Sequence, residues 1–483
     1  MSSNHDESEY TSLLAILQEW NSAPTNRRQP AYFSAIAVQD FRCFKPRTEL
    51  LTSRGGQPVP WTVILGENGV GKTILLQLLA ALRPRVCRTI LGTREDFLVQ
   101  VDYVPDAMGI VSPVGPLGAD ILAEIKRGKR PPTRLDCEFA LIGSYDRPMS
   151  STTLERYHLT QSKKERFGPE CSSIVRELEG FECYGYGAGR KVGKASRAAR
   201  VGEDPCASLI DENVDLLNPE EWLVQTDDAI QRGDRSADEQ LVRVKEVLLK
   251  LLSHEPIRDI TFVSDTSSGG TPTTHVAFET SCGMVPLRRL SLGYRTLITW
   301  VLDLASRLYE RYPDNSDPLA EPAVVLVDEI DLHLHPGAQR DLLPSLSGIF
   351  QNTQFIVTTH SALIVQAAPE DANIALLRRE GDHVVIENDV KIPRNARVDQ
   401  ILTSDLFGLE TARPPQIQSA LSERDRLRAK ADRTEAERQR LAELDAEIGD
   451  LPTAETASDQ EAIDIVRRAA ELLAADGSKT GAS

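Results

Sequence analysis

The stretch that decides the fold is Ala323 to Pro336, AVVLVDEIDLHLHP. Its first residues, Ala323 to Val327, are uninterruptedly apolar and run into adjacent acids, Asp328 and Glu329. This is the pattern of a parallel strand buried on both faces that ends in carboxylates. Like charges side by side are costly in a poorly hydrated site unless a cation or a proton is shared between them. The stretch therefore suggests a metal at Asp328 and a base at Glu329. The plainer alternative is a core strand leaving its sheet into a solvated acidic turn, and the rest of the chain has to decide between them.

A second apolar strand, VPWTVIL (59 to 65), leads directly into Gly66, Glu67, Asn68, Gly69, Val70, Gly71, Lys72 and Thr73, followed by the helical run ILLQLLAALRP. This is G-x-x-x-x-G-K-T with a strand before it and a helix after it, the context in which the motif cradles phosphate. The glycines let main-chain N–H groups turn inward, and the helix N-terminus adds partial positive charge. Lys72 is placed to reach the β and γ phosphates and the Thr73 hydroxyl to ligate Mg²⁺. Further on, Leu290-Ser291-Leu292-Gly293 opens a long apolar helix. A serine cap and a glycine there form an exposed amide cluster, a second possible anion site. QFIVTTHSALIV (354 to 365) is another buried strand and ends in His360, a residue that gains meaning only from its company. The aromatic, glycine-bearing run FECYGYGAGR (181 to 190) could bring backbone and Arg190 close to a ligand.

With 483 residues and 41% hydrophobic composition the chain can bury a sizeable core in two or three domains, or in one large domain with insertions. No apolar run approaches the about 20 residues of a membrane span. The N-terminus, MSSNHDESEYTS, lacks a basic start and an apolar stretch, so the cytoplasm is the expected compartment and no membrane partner is expected. The seven cysteines are scattered without a CxxC pair, which fits a reducing compartment and argues against zinc. A net charge of -17 argues against a chain that coats nucleic acid by bulk electrostatics, although local basic patches such as 126 to 134 and 189 to 200 remain.

Shifts in texture divide the chain. Residues 1–30 read as an amphipathic helix and linker, 31–91 as the first part of a head that carries the phosphate loop, and 92–240 as an inserted lobe. Residues 241–407 read as the second part of the head, and 408–483 as charged helices with a disordered tail. Asn218-Pro219 followed by two glutamates marks a helix start. VRVKEVLLKLLS (242 to 253) is a further helix. Hairpins are expected over 259 to 280 and 373 to 388. Leu441, Leu444, Ile448 and Leu451 make a short apolar seam, suited to a charged helix or helical hairpin.

Phosphate loop, Ser-x-Gly helix cap, strand ending in Asp-Glu and strand ending in His stand in the chain order of the ATP-binding-cassette ATPases, which the sequence resembles. GENGVGKT, DEIDLHLHP and the YG-x-x-R element at 186 to 190 resemble the RecF and overcoming-lysogenisation-defect side of the SMC-like ATPases. The likeness extends over about 32 to 410, and it looks nearest to the stand-alone ATPases of bacterial anti-phage systems of the Septu and retron-associated kind. LSLGYR and the long separation of Lys72 from Asp328 set the chain apart from transporter ATPases.

The resemblance implies an α/β fold: an ABC-type P-loop head, with a mixed sheet and a parallel core sheet flanked by helices. A large inserted lobe and a C-terminal helical extension would complete it. ATP and Mg²⁺ are the implied ligands. Asp328 would orient the water shell of the metal, Glu329 would polarise the attacking water, His360 would sense the γ-phosphate, and Asp331 would lie in the loop that crosses to a partner subunit. Ser291 and Gly293 would contact the ATP of the other subunit, so that two chains sandwich two nucleotides head to tail. The implied partners are a second copy, or a higher homo-oligomer, and a separate nuclease or toxin effector. Clamping of DNA in the manner of RecF is the alternative. No glutamate followed by a DxD strand lies between His360 and Ser483, so the chain is not expected to cut DNA itself. On this reading His333 and His335 belong to an interface, and zinc at that pair is the weaker choice. The glutamine that normally supports the metal has no clear counterpart beyond the YGAGR turn.

Overall fold

The computed structural model describes residues 30–39, 41–82, 86–91, 98–103, 134–141, 155–160, 181–193, 204–265, 273–393, 395–409, 412–430 and 432–448. The expected N-terminal helix, the first basic patch as far as Thr133, and the final helix and tail lie outside these residues.

The core is a six-stranded sheet in the order Cys183–Tyr186, Ala323–Val327, Thr353–Thr358, Trp61–Gly66, Asn373–Glu380, His383–Glu387. All neighbours are parallel except the last pair, the hairpin expected around Gly381. Strands covered on both faces have no solvated side, and every residue of Ala323–Val327 and Thr353–Thr358 is buried. A second, antiparallel sheet runs Thr48–Leu51, Ala31–Gln39, Arg134–Leu141, Glu155–Thr160. The helix Lys72–Leu82 joins the two layers: Leu75, Leu76 and Leu79 share one core with Phe33 and Ile36 of the second sheet and with Ile64, Leu326 and Ile356 of the first. On alternate positions of the same strands Trp61 stacks on Phe355 at 4.4 Å, and the Trp61 indole N–H donates to Ser347 Oγ at 2.8 Å in the helix Pro336–Ile349.

One polar residue in the core ties the layers together. Gln354 is fully buried; its Oε1 accepts from Phe33 N at 3.0 Å, and its Nε2 donates to Phe33 O at 2.9 Å and Thr52 O at 3.2 Å. These bonds sit where the Ala31–Gln39 strand changes register, between Phe33 and Ala35, so the side chain satisfies backbone groups beside the irregularity.

Boundaries drawn from composition place Cys183–Tyr186 and Arg134–Leu141 in an inserted lobe, whereas both are strands of the head's own sheets. The reason is visible in FECYGY, whose side chains from Cys183 to Tyr186 are all buried beside the acidic strand. Helices Pro219–Gln231 and Arg235–Leu251 follow, the first capped by Asn218, which accepts from the amides of Glu220 and Glu221. The hairpin Ile257–Asp265 and Thr273–Thr280 gains a third strand, Gly283–Pro286.

The chain divides into two compact units, Met1–Ile401 and Leu402–Ser483. In the second, helices Pro415–Arg428 and Glu435–Ile448 bury Ala420, Leu427, Leu444 and Ile448 against one another, a helical hairpin. Arg440 with Glu423 and Arg428 with Asp445 form charge pairs between the two helices.

Candidate functional site

The parallel strands end together, and at that edge the sequence motifs meet. Gly66, Glu67, Asn68, Gly69, Val70 and Gly71 form the turn between the strand Trp61–Gly66 and the helix that starts at Lys72. Gly71 has φ +101°, and a Cβ there would lie 2.8 Å from Cys43 Sγ and 3.0 Å from the Phe44 ring, so only glycine fits. Lys72 is 7% exposed, and its Nζ donates to Gly66 O at 2.8 Å and Glu67 O at 2.9 Å. Burial lowers its pKa from the usual lysine value, while Asp328, Glu329 and Asp331 act in the opposite sense.

The Thr73 hydroxyl donates to Asp328 Oδ2 at 2.7 Å, although the two residues lie on separate elements. The Thr358 hydroxyl donates to Asp328 Oδ1 at 2.5 Å and accepts from Glu329 N at 2.8 Å. Asp328 is thus buried with both carboxylate oxygens bonded. The half-buried Glu329 has no hydrogen bond or ion pair on its carboxylate among the described residues. A carboxylate oxygen and a hydroxyl in contact are the hard donors a divalent cation prefers, and Mg²⁺ habitually completes its shell with water and phosphate oxygens. The residues present therefore fit such an ion, which Thr73 and Asp328 would hold.

Beyond Glu329 the chain makes a tight turn. Leu332 N donates to Glu329 O at 3.0 Å and Leu334 N to Asp331 O at 3.0 Å, while the Thr359 hydroxyl donates to the Asp331 carboxylate. His335 Nδ1 accepts from Gly337 N at 3.2 Å, which makes His335 a helix cap. His360 stands exposed at the end of its strand. Partial burial of the ring and the charge of Lys72 lower its pKa, against the pull of Glu329, Asp331 and Asp328.

Ser291 caps the helix Leu292–Arg311 by accepting from Tyr294 N at 3.4 Å, and Ser291 and Leu292 are exposed. Gly293 departs from the expectation of an exposed amide. It is buried, and a Cβ there would lie 2.1 Å from His333 O, so its absence of side chain lets the helix start press on the 329–335 turn.

Two groups hold the acids in ways that the sequence alone does not assign: it does not single out the threonines, and it places Arg190 near a ligand rather than on the main chain of the acids. Thr358 and Thr359 are signalled only by polar residues at the end of an apolar strand. Arg190, at the end of the YGAGR turn, is 4% exposed and donates to the main-chain oxygens of Asp328, at 2.7 Å, and Glu329. Burial lowers its pKa to about 10, opposed by the nearby acids.

Fold and site together define a class, an α/β ATPase domain of the P-loop kind. Residues 229–366 match the family model described as "AAA domain, putative AbiEii toxin, Type IV TA system". The chain is 36% identical over 130 residues to the "Retron Ec83 probable ATPase" of Escherichia coli, covering 26% of this chain and 22% of that protein. It is 25% identical over 387 residues to the "Septu protein PtuA" of Bacillus mycoides (strain KBAB4), covering 79% of this chain and 46% of that protein. The matches thus span less than half the length of these relatives. A solved SMC head bound to the C-winged helix domain of ScpA aligns over 74% of this chain and 97% of that one, at 12% identity and TM-score 0.39. The sequence is thus similar to retron probable ATPases and to Septu PtuA proteins, the kinds of protein its motifs resemble. No helix among the described residues is long and apolar enough to cross a membrane.

Proposed function

We propose that the protein is a Mg²⁺-dependent ATPase that closes into a head-to-tail dimer around ATP and controls a separate effector, a nuclease, in bacterial anti-phage defence. The observation that carries the ATPase reading is the contact of Thr73 with Asp328, with the Glu329 carboxylate, unpaired among the described residues, one residue beyond it. Phosphoryl transfer is mainly positioning and charge neutralisation, and this edge supplies both. The main-chain amides of Gly69 to Thr73 and the Lys72 ammonium bind the phosphates, Lys72 leaving the carbonyls of Gly66 and Glu67 to do so. Thr73 and Asp328 would hold a Mg²⁺, which would supply charge neutralisation to the phosphates. Glu329 accepts the proton of the attacking water, and His360 donates a hydrogen bond toward the γ-phosphate.

The exposed Ser291 cap supports the dimer reading, because Ser291 and Leu292 lie at the surface and Gly293 beside them rests on the turn that carries Asp331. The defence role and the effector rest on the similarity to retron and Septu proteins. ATP turnover by the purified chain, and co-purification of a nuclease with it, test the two halves separately. A chain that binds ATP but associates with no effector would keep the first half and remove the second.

A further inference from the structure

Arg190 is the buried cation that this chemistry leaves unused. It is 4% exposed, no carboxylate pairs with it among the described residues, and its Nε has no partner. Its Nη2 donates instead to the carbonyl oxygens of Asp328 and Glu329. A buried guanidinium bonded to main-chain carbonyls fixes a backbone conformation, and here its charge also lies near Asp328, Asp331 and Glu329.

That conformation is unusual. Glu329 has φ +48°, a left-handed geometry that residues with a side chain seldom adopt. Its carbonyl, turned in this way, is shared between Arg190 and Leu332 N. Arg190 itself has φ +23° and sits in a loop that is held from the far side: Leu216 N donates to Lys191 O at 3.0 Å, and Cβ atoms at Gly187 and Gly193 would lie 2.3 Å from Ser208 O and 1.7 Å from Leu216 O. The anchor is rigid where it meets the acids, and the carboxylate it serves is the one with no other support.

We infer that Arg190 is a positioning residue for hydrolysis: by holding the carbonyls of Asp328 and Glu329 it keeps the turn in its left-handed form and so aims the Glu329 carboxylate at the attacking water. The inference rests on the proposed ATPase reading. A misplacement of about 1 Å at a reacting group can cost about 10²-fold in rate. Arg190→Met should therefore lower kcat by about that factor while leaving ATP affinity and KM within about two-fold, and Arg190→Lys should recover part of the loss. In a Glu329→Gln background Arg190→Met should cost nothing more, since both changes remove one function. Hydrogen exchange in the full chain gives a readout independent of turnover: the Leu332 amide should exchange faster in Arg190→Met, and amides of Leu75 to Leu79 should not. Wild-type kcat in the Met variant, an additive loss in the double variant, or unchanged exchange at Leu332 would overturn the inference. If the Met variant does not fold, the Lys variant decides by the same kcat and exchange readings. A wild-type chain that hydrolyses no ATP would remove the functional reading, and the exchange comparison would still judge the role of Arg190.

Discussion

The two regions of this head that the proposed function turns toward phosphate are built in opposite ways. At the ends of the core strands nearly every group is anchored within the chain: Thr73 and Thr358 hold Asp328, Arg190 holds the carbonyls behind it, and Thr359 holds Asp331. At the start of the helix Leu292–Arg311 the serine is exposed and only the glycine is engaged, against His333 of the acidic turn. On the proposed function, the first region would bind and orient a nucleotide within one chain. The second offers a surface, and its back is welded to the loop that carries Asp331. On the proposed function, the difference makes binding and turnover separable, with turnover waiting on a second chain.

The separation can be broken from either side. The largest effect is expected at Lys72, the charge of the anchored region: Lys72→Ala should weaken ATP binding by more than about 10²-fold, read by titration with a fluorescent nucleotide, because a charge-assisted contact to phosphate is lost in a buried site. Unchanged affinity would move nucleotide binding away from the phosphate loop. Ser291→Arg should leave affinity intact and lower turnover by about 10²-fold, the usual scale for losing a donor at a developing charge. Mixing it with Lys72→Ala should restore part of the activity, because one composite site per mixed dimer is then intact. No recovery on mixing would argue that each chain works alone.

Gly293→Ala tests the weld between the regions. The added methyl meets a backbone oxygen, so the variant should lose about 1–3 kcal/mol in denaturant unfolding, typical of overpacking. Gln354→Leu leaves Phe33 N, Phe33 O and Thr52 O without their side-chain partner and should cost about 1–3 kcal/mol, with no change in ATP affinity once folded. Removal of the residues after Phe407 should have the smallest effect on turnover, within about two-fold, because no phosphate-facing motif lies beyond them. Its expected consequence is altered assembly, read by light scattering.

The anchored region was largely legible in the sequence, because a phosphate loop and an acid-ended strand are local patterns with a chemical reason for each residue. Their partners were less so. Thr358 and Thr359 look like ordinary strand-end residues until the parallel register puts Thr353–Thr358 beside Ala323–Val327. Arg190 is marked by the turn it ends, but its role depends on Cys183–Tyr186 being a core strand, and composition alone assigned that strand to a lobe. Gly293 illustrates the same limit: sequence suggested an open amide, whereas the close approach of another segment decides its use. Local chemistry is written in the motif, and what supports it is written in contacts between distant residues.

The most direct test of the central claim is ATP binding and turnover by Glu329→Gln beside the wild type, with the oligomeric state followed in the same samples. The account predicts that the variant keeps ATP affinity, loses turnover by more than about 10²-fold, and accumulates as an ATP-bound dimer that the wild type forms only transiently. Hydrolysis at the wild-type rate would contradict the assignment of the base and, with it, the reading of the acidic strand.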